Sequence, residues 1–317
     1  MKVLITGGFG FIGGRLGQYL QQAGHHVILG TRRLCDPPHW LPTADVVQTA
    51  WNDVPSLIKV CARVDAIVHC AGMNAEDCVA DRARALECNG LATAHLLNAA
   101  VSQGVERFMY LSTAHVYASP LVGTITEETW PRNLHVYATS HRAGEDVVLH
   151  ARQRGEIEGI VIRVSNAFGV PVHKDVNCWA LLVNDLCRQV VQTGKMVLRS
   201  TGVQQRDFIT LDDVCRAITH LLELSGWQCQ DGLFNLGSEN VFSVWEMGQR
   251  IARRCPATLE FTPDIERPGP HADEQYESLR YDCSKLHKTG FHSRDNIEEE
   301  LDHMLAFCGQ TWGISSQ

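Results

Sequence analysis

The chain has 317 residues, 44% of them hydrophobic, enough apolar material for one large α/β unit or two coupled domains. Its formal net charge is -8 and its 28 Lys and Arg are scattered, which excludes a basic nucleic-acid surface or an acidic-membrane binder and points to small-molecule partners. No apolar stretch approaches a membrane span, the twelve cysteines contain no C-x-x-C, and the first residues read as a strand and not as a signal peptide, so reduced core thiols, no metal site and a cytoplasmic location are expected.

Lys2-Val3-Leu4-Ile5-Thr6 reads as an apolar strand running into Gly7-Gly8-Phe9-Gly10-Phe11-Ile12-Gly13. In this G-x-x-G-x-x-G turn Gly7 permits a tight bend, Gly10 lets backbone approach a pyrophosphate, and Gly13 lets the following helix pack closely on the strand. The N–H groups at the start of that helix, over Phe11 and Ile12, then offer phosphate a seat. Ile12, Leu16, Leu20 and Ala23 mark one helical face, Gly24 is placed as its cap, and Val27-Ile28-Leu29 resume as a strand. That strand ends in Gly30-Thr31-Arg32-Arg33, with no carboxylate for a ribose 2′-hydroxyl and two guanidiniums suited to a 2′-phosphate. NADP is therefore expected over NAD.

Apolar runs then alternate with helical patterns: Ala66–Ala71, a helix through Ala83–Ser102, Phe108–Ser112, a helix from Tyr137, and Gly159–Arg163. The rhythm predicts an α/β fold, a doubly wound parallel sheet of Rossmann type. Past about Ala167 the pieces shorten, broken by Pro171, Pro256, Pro263, Pro268 and Pro270, while Ser243-Val244-Trp245-Glu246 reads as a capping box. The expectation is a dinucleotide-binding domain over 1–166 and a smaller C-terminal α/β lobe over 167–317. That lobe is mainly substrate-binding, with some segments returning to the core and the substrate in the cleft between.

Leu111-Ser112-Thr113-Ala114-His115-Val116-Tyr117 ends one predicted strand, Tyr137-Ala138-Thr139-Ser140-His141 opens a helix, and Arg163-Val164-Ser165-Asn166-Ala167-Phe168-Gly169 ends the next strand. With Gln205-Arg206-Asp207-Phe208-Ile209, Asp212-Asp213-Val214, Phe234-Asn235-Leu236-Gly237-Ser238 and Asp282-Cys283-Ser284-Lys285-Leu286, this ordered set resembles the extended short-chain dehydrogenase/reductases, the NAD-dependent epimerase/dehydratase family. The resemblance spans nearly the whole chain. It implies a nucleotide-diphosphate sugar as substrate and a homodimer built through two helices, one within Ala83–Ser102 and one following Tyr137.

Tyr137 is the expected general acid/base, because hydride transfer at a carbinol carbon requires a proton to move at its oxygen, and Thr113 would hold that oxygen. The family places lysine four residues after the tyrosine, on the same helical face; here that position is His141, whose imidazole is mostly neutral at neutral pH. Arg142, five residues from Tyr137, turns away from that face. The resemblance further implies Ala71 and Gly72 beside the cofactor ribose, Asp53 near the adenine, Asn166 and Asn177 as polar substrate contacts, and Arg206 and Arg267 as the diphosphate clamp. Arg267-Pro268-Gly269-Pro270 keeps the family's Arg and Gly but has Pro270 where Asp is frequent. Family dehydratases carry Asp-Glu after the Ser/Thr, whereas this chain has Ala114-His115. A 4-epimerase or a 4-ketosugar reductase is therefore expected, with a catalytically weakened dinucleotide sensor or scaffold as the alternative.

Overall fold

The computed structural model describes residues 1–269 and 277–313, and Pro270 lies outside the described residues. The first half runs β1 (Lys2–Thr6), α1 (Phe11–Gln22), β2 (His26–Thr31), β3 (Asp45–Gln48), α2 (Val54–Cys61), β4 (Ala66–His69), α3 (Ala75–Ala80), α4 (Arg82–Leu86), α5 (Ala92–Ser102), β5 (Arg107–Thr113), β6 (Gly123–Ile125), α6 (Val136–Gln153) and β7 (Glu158–Val164). The second adds β8 (Asn166–Phe168), α7 (Leu182–Thr193), β9 (Lys195–Val197), β10 (Gln205–Thr210), α8 (Leu211–Glu223), β11 (Leu233–Leu236), β12 (Val241–Ser243), α9 (Val244–Leu259), β13 (Asp264–Glu266), β14 (Leu279–Tyr281), α10 (Ser284–His287) and α11 (Ile297–Trp312).

Seven strands pair in the order β11-β7-β5-β4-β1-β2-β3, every pair parallel. This is the doubly wound sheet expected from the alternating pattern. All seven residues of β5 are buried, as a central parallel strand covered on both faces requires. Val3, Ile5, Leu16, Leu20 and Ile218 fill one face, where α8 packs on α1; Leu4, Leu57, Leu96, Phe108 and Val148 fill the other. Among the described residues no helix is long and apolar enough to cross a membrane.

The second half is shared between two cores. Phe168, Leu186, Met196, Met247, Leu301 and Met304 make a separate cluster where α7, α9 and α11 pack together beside a three-stranded sheet, β12-β10-β8. By contrast α8 and β11 belong to the large sheet. The capping box is formed: Ser243 Oγ accepts from the Glu246 N–H at 3.1 Å and Glu246 Oε2 accepts from the Ser243 N–H at 2.7 Å.

Three local expectations need correction. Ala23 is exposed and caps α1 instead of extending its buried face, because Gly24 at φ +85° turns the chain and lets the His25 N–H reach the Leu20 carbonyl at 2.9 Å. The strand read as Ala66–Ala71 stops at His69. The helix read as Ala83–Ser102 starts at Arg82 and is interrupted by a π-helical turn over Glu87–Leu91. That turn inserts a phase shift which carries Asn89, fully buried, toward the sheet's working edge.

Helix α6 is locked to the sheet by a buried ion pair. Glu145 Oε2 accepts from Arg163 Nη2 at 2.6 Å and Oε1 from Arg163 Nε at 2.9 Å, while the Ser112 hydroxyl donates to Oε1 at 2.5 Å. Both charges are out of solvent, so removing one strands the other. Glu145→Ala is expected to lower unfolding free energy by about 3–5 kcal/mol, read as a shifted urea midpoint at unchanged slope.

Candidate active site

The glycine turn has the geometry that a dinucleotide needs. Gly7 lies at φ +65°, and a Cβ there would stand 2.9 Å from the Ala71 nitrogen. A Cβ on Gly13 would meet the Gly7 carbonyl oxygen at 2.4 Å, so only glycine lets α1 start this close to the loop. Gly10 caps α1 without a side chain, leaving the first-turn N–H groups over Phe11, Ile12 and Gly13 with no side-chain acceptor. A helix N-terminus that is open, uncapped and free of Cβ atoms fits a pyrophosphate. Beyond it, Ala71 is half-buried and Gly72 exposed, both in the loop after β4.

At the end of β2, Arg32 and Arg33 are exposed, and neither guanidinium pairs with a carboxylate among the described residues. Thr31 is half-buried and its hydroxyl accepts from the Arg33 N–H at 3.3 Å. Asp53 serves its own helix: it caps α2, accepting from the Ser56 N–H at 3.1 Å.

A cavity of about 280 Å³ opens where the strand ends meet the second lobe. Phe11 and Ile12 from α1, Thr113 and His115 after β5, Tyr137 from α6, Asn166 from β8 and Arg206 from β10 share its wall. Burial raises the Tyr137 phenol above its ordinary pKa, and the Thr113 hydroxyl pulls against that rise. His115 is pushed down, by burial first and then by Arg206 and His135. Arg206 donates to Gln204 Oε1 at 3.1 Å, while its buried Nε has no acceptor and no carboxylate pairs with it among the described residues. The wall thus carries a guanidinium ready for an anion. Asn166 donates to the Asp207 carbonyl at 2.9 Å.

Two of the expected substrate contacts are not brought to this wall. Asn177 is exposed. Arg267 donates to the Thr201 carbonyl at 2.6 Å, and its guanidinium lies 3.7 Å from the centre of the Trp245 ring.

His141 is 8% exposed and packs edge-on against Tyr137, ring centres 4.6 Å apart. Burial pushes its pKa down to about 4, so the imidazole is uncharged at neutral pH. Arg142 turns away from Tyr137, as expected, and faces Glu145 and Asp146 at 3.7 and 3.6 Å.

Two residues at this site carry no motif that marks them in the sequence. Asn89 accepts from the Met73 N–H at 2.8 Å and donates to Ser140 Oγ at 2.9 Å, tying the loop after Gly72 to α6. Tyr110 places its hydroxyl 2.9 Å from His141 Nδ1. Neither leaves a local signal: Asn89 sits in an unbroken helical pattern, and Tyr110 in an apolar run that reads as core.

The sequence model of the NAD dependent epimerase/dehydratase family matches residues 3–237. The chain is 28% identical over 276 residues to ADP-L-glycero-D-manno-heptose-6-epimerase of Pseudomonas paraeruginosa, covering 83% of this chain and 81% of that one. It is 24% identical over 319 residues to dTDP-D-glucose 4,6-dehydratase of Mus musculus, covering 95% and 86%. Among solved structures, UDP-N-acetylglucosamine 4-epimerase from Methanobrevibacter ruminantium M1, in complex with UDP-N-acetylmuramic acid, superposes with a TM-score of 0.81 at 21% identity over 98% of each chain.

Two imidazoles beneath the site are held neutral by burial: His141, and His69, which burial and then His141 push down to about 3. The unfolded chain protonates them near 6.5, so between that pH and about 4 it binds more protons than the native state and stability falls with acid. Above pH 6.5 the contribution is complete. The melting temperature is therefore expected to drop as pH falls from 6.5 toward 4, with a shallower slope in His141→Asn.

Proposed function

This chain belongs to the NAD dependent epimerase/dehydratase family, and from that premise we propose that it moves hydride at a carbinol or keto carbon of a nucleotide-diphosphate sugar, as a 4-epimerase or 4-ketosugar reductase. One observation carries the reading: a single cavity joins the first turn of α1 to Thr113, Tyr137, Asn166 and Arg206. The nicotinamide cofactor, when bound, supplies or accepts the hydride. Gly7, Gly10 and Gly13 leave room for its pyrophosphate at the α1 N-terminus, with Ala71, Gly72 and His141 along its ribose. Exposed Arg32 and Arg33 support a 2′-phosphate, hence NADP over NAD.

Tyr137 gives or takes the proton at the substrate oxygen, and Thr113 orients that oxygen. Arg206, lacking a carboxylate partner, takes a substrate phosphate. At about 280 Å³ the cavity lies just below the usual range of ligand sites, roughly 300–1,000 Å³, which suits the sugar end of the substrate with the nucleotide outside. Ala114 is buried and carries no acid, which argues against 4,6-dehydration even though His115 stays on the wall. Exposed Leu86 and Leu91 on the helix carrying Asn89 support a homodimer through that helix and α6. A second reading is favoured by the uncharged His141: with less help to ionise Tyr137, the fold would serve as a dinucleotide sensor or scaffold.

The purified protein is expected to carry a nicotinamide dinucleotide identifiable by mass. Offered a panel of 4-keto and 4-hydroxy nucleotide sugars, a reductase consumes NADPH, whereas an epimerase exchanges stereochemistry without added reductant. Tyr137→Phe should lower turnover by about 10²–10⁴-fold. Bound cofactor with neither reaction selects the sensor. Replacing Arg32 and Arg33 by Ala together should reduce the NADPH-over-NADH binding preference by about tenfold or more, and an unchanged ratio removes the 2′-phosphate assignment.

A further inference from the structure

Tyr110 lies one layer beneath the cavity, with no part in the proton chemistry described above, and its surroundings are built to hold its hydroxyl in one place. Its ring packs against α6 where Gly144 has no side chain; a Cβ there would stand 2.6 Å from the phenol oxygen. The hydroxyl lies 3.2 Å from the Asn89 carbonyl oxygen and 2.9 Å from His141 Nδ1, and the Thr93 hydroxyl also acts on it as a hydrogen-bond neighbour. That carbonyl belongs to the π-helical turn and also takes the Thr93 hydroxyl proton at 2.8 Å.

A carbonyl only accepts, and a phenol has one proton to give. Both contacts are hydrogen bonds in one proton assignment alone: the Tyr110 O–H donates to the Asn89 carbonyl, and an Nδ1–H of His141 donates to the Tyr110 oxygen. A neutral imidazole has one N–H, so Nε2 is then the lone-pair nitrogen. Nε2 has no partner among the described residues, and the ring's Cε1 edge borders Gly72, where a Cβ would lie 3.8 Å away. Asn89 is itself fixed by the Met73 N–H and by Ser140 Oγ, so the acceptor that orients Tyr110 does not drift.

We propose that Tyr110 is a positioning residue that holds His141 as the Nδ1–H tautomer, so that His141 meets the cofactor's ribose as a hydrogen-bond acceptor through Nε2, the opposite polarity to an ammonium at the same place. The proposal rests on the cofactor reading above and deepens it: at this point the site takes a ribose hydroxyl that donates. The support given to Tyr137 is then the edge-on ring contact and not a charge, while the acceptor offered to the ribose is lost when the imidazole can turn over between tautomers.

The test uses full-length protein labelled uniformly with 13C and 15N, with the His141 ring signals assigned by through-bond correlation to its own backbone, so that no variant is needed to identify them. Wild type is expected to show a protonated Nδ1 and a bare Nε2, with and without NADPH; a protonated Nε2 overturns the proposal, and this spectrum decides whether or not any variant folds. Tyr110→Phe is expected to mix the tautomers and to weaken NADPH binding about three- to tenfold by tryptophan fluorescence, the net worth of one hydrogen bond. In the His141→Lys background the same replacement should change affinity by less than about twofold, because an ammonium needs no tautomer fixed. Equal losses in both backgrounds assign Tyr110 a packing role only and overturn the proposal. Failure of wild type to bind NADPH or NADH would instead defeat the cofactor reading, whichever tautomer the spectrum gives.

Discussion

Between β1 and β4 the sheet reverses its direction of growth, and every functional placement depends on that reversal. The chain first builds outward through β2 and β3, then returns to lay β4, β5 and β7 on the other side of β1. Helices leaving adjacent strands on opposite faces cannot close over the gap, so a crevice opens beyond the strand ends. Gly7 begins the turn on one side of this crevice and Ala71 lies on the other, close enough that a single Cβ on Gly7 would collide with it. Parallel pairing then brings Thr113 and Val164 level at the same edge, since β5 and β7 are in register there. Residues far apart in sequence meet because the strands end together.

Position along the edge is not enough for proton chemistry, because Tyr137 sits on a helix and a helix can slide. What holds α6 is polar and buried. The Glu145–Arg163 pair crosses from helix to strand, and Asn89 ties Ser140 to the loop after β4. Such bonds are worth little in net stability compared with apolar packing, yet they define a single registration, since any slip leaves buried donors and charges unmatched. Ser140 lies one helical turn from Tyr137 and donates to its carbonyl at 3.0 Å, so the anchoring acts at the residue proposed to move the proton.

The sheet and the turn were legible in the sequence because both rest on local rules. Alternation of apolar runs with helical patterns marks parallel strands, and Gly7, Gly10 and Gly13 mark a place where backbone must approach backbone. Thr113, Tyr137, Asn166 and Arg206 came together as their motifs implied, because each sits at the end of an element whose direction the parallel topology fixes. Asn177 and Arg267 did not reach the cavity wall, since both lie in irregular segments of the second lobe, where no period sets the direction of a side chain. Asp53 followed its strongest local option, a helix cap two residues before Pro55. The π-helical turn was invisible because a one-residue phase shift leaves composition and apolar content unchanged, and Tyr110 was hidden by its neighbours: in an apolar strand a tyrosine reads as a ring, not as a hydroxyl.

A histidine at 141, where the family resemblance implies lysine, is therefore proposed to be more than the loss of one charge. An ammonium buried at this depth would need a carboxylate or several acceptors to offset its desolvation, and the nearest buried carboxylate, Glu145, is already engaged by Arg163, Ser112 and Arg142. A neutral imidazole avoids that demand, and it sits beside Gly72, tilted on the Tyr110 ring and edge-on to Tyr137. The cost falls on the phenol, which burial raises and which no cation among the described residues lowers. A site built this way favours the protonated tyrosine, and so favours giving a proton to a developing alkoxide over taking one from an alcohol. Of the two reactions proposed above, that asymmetry supports ketosugar reduction, in which a proton donor and not a base completes the reaction.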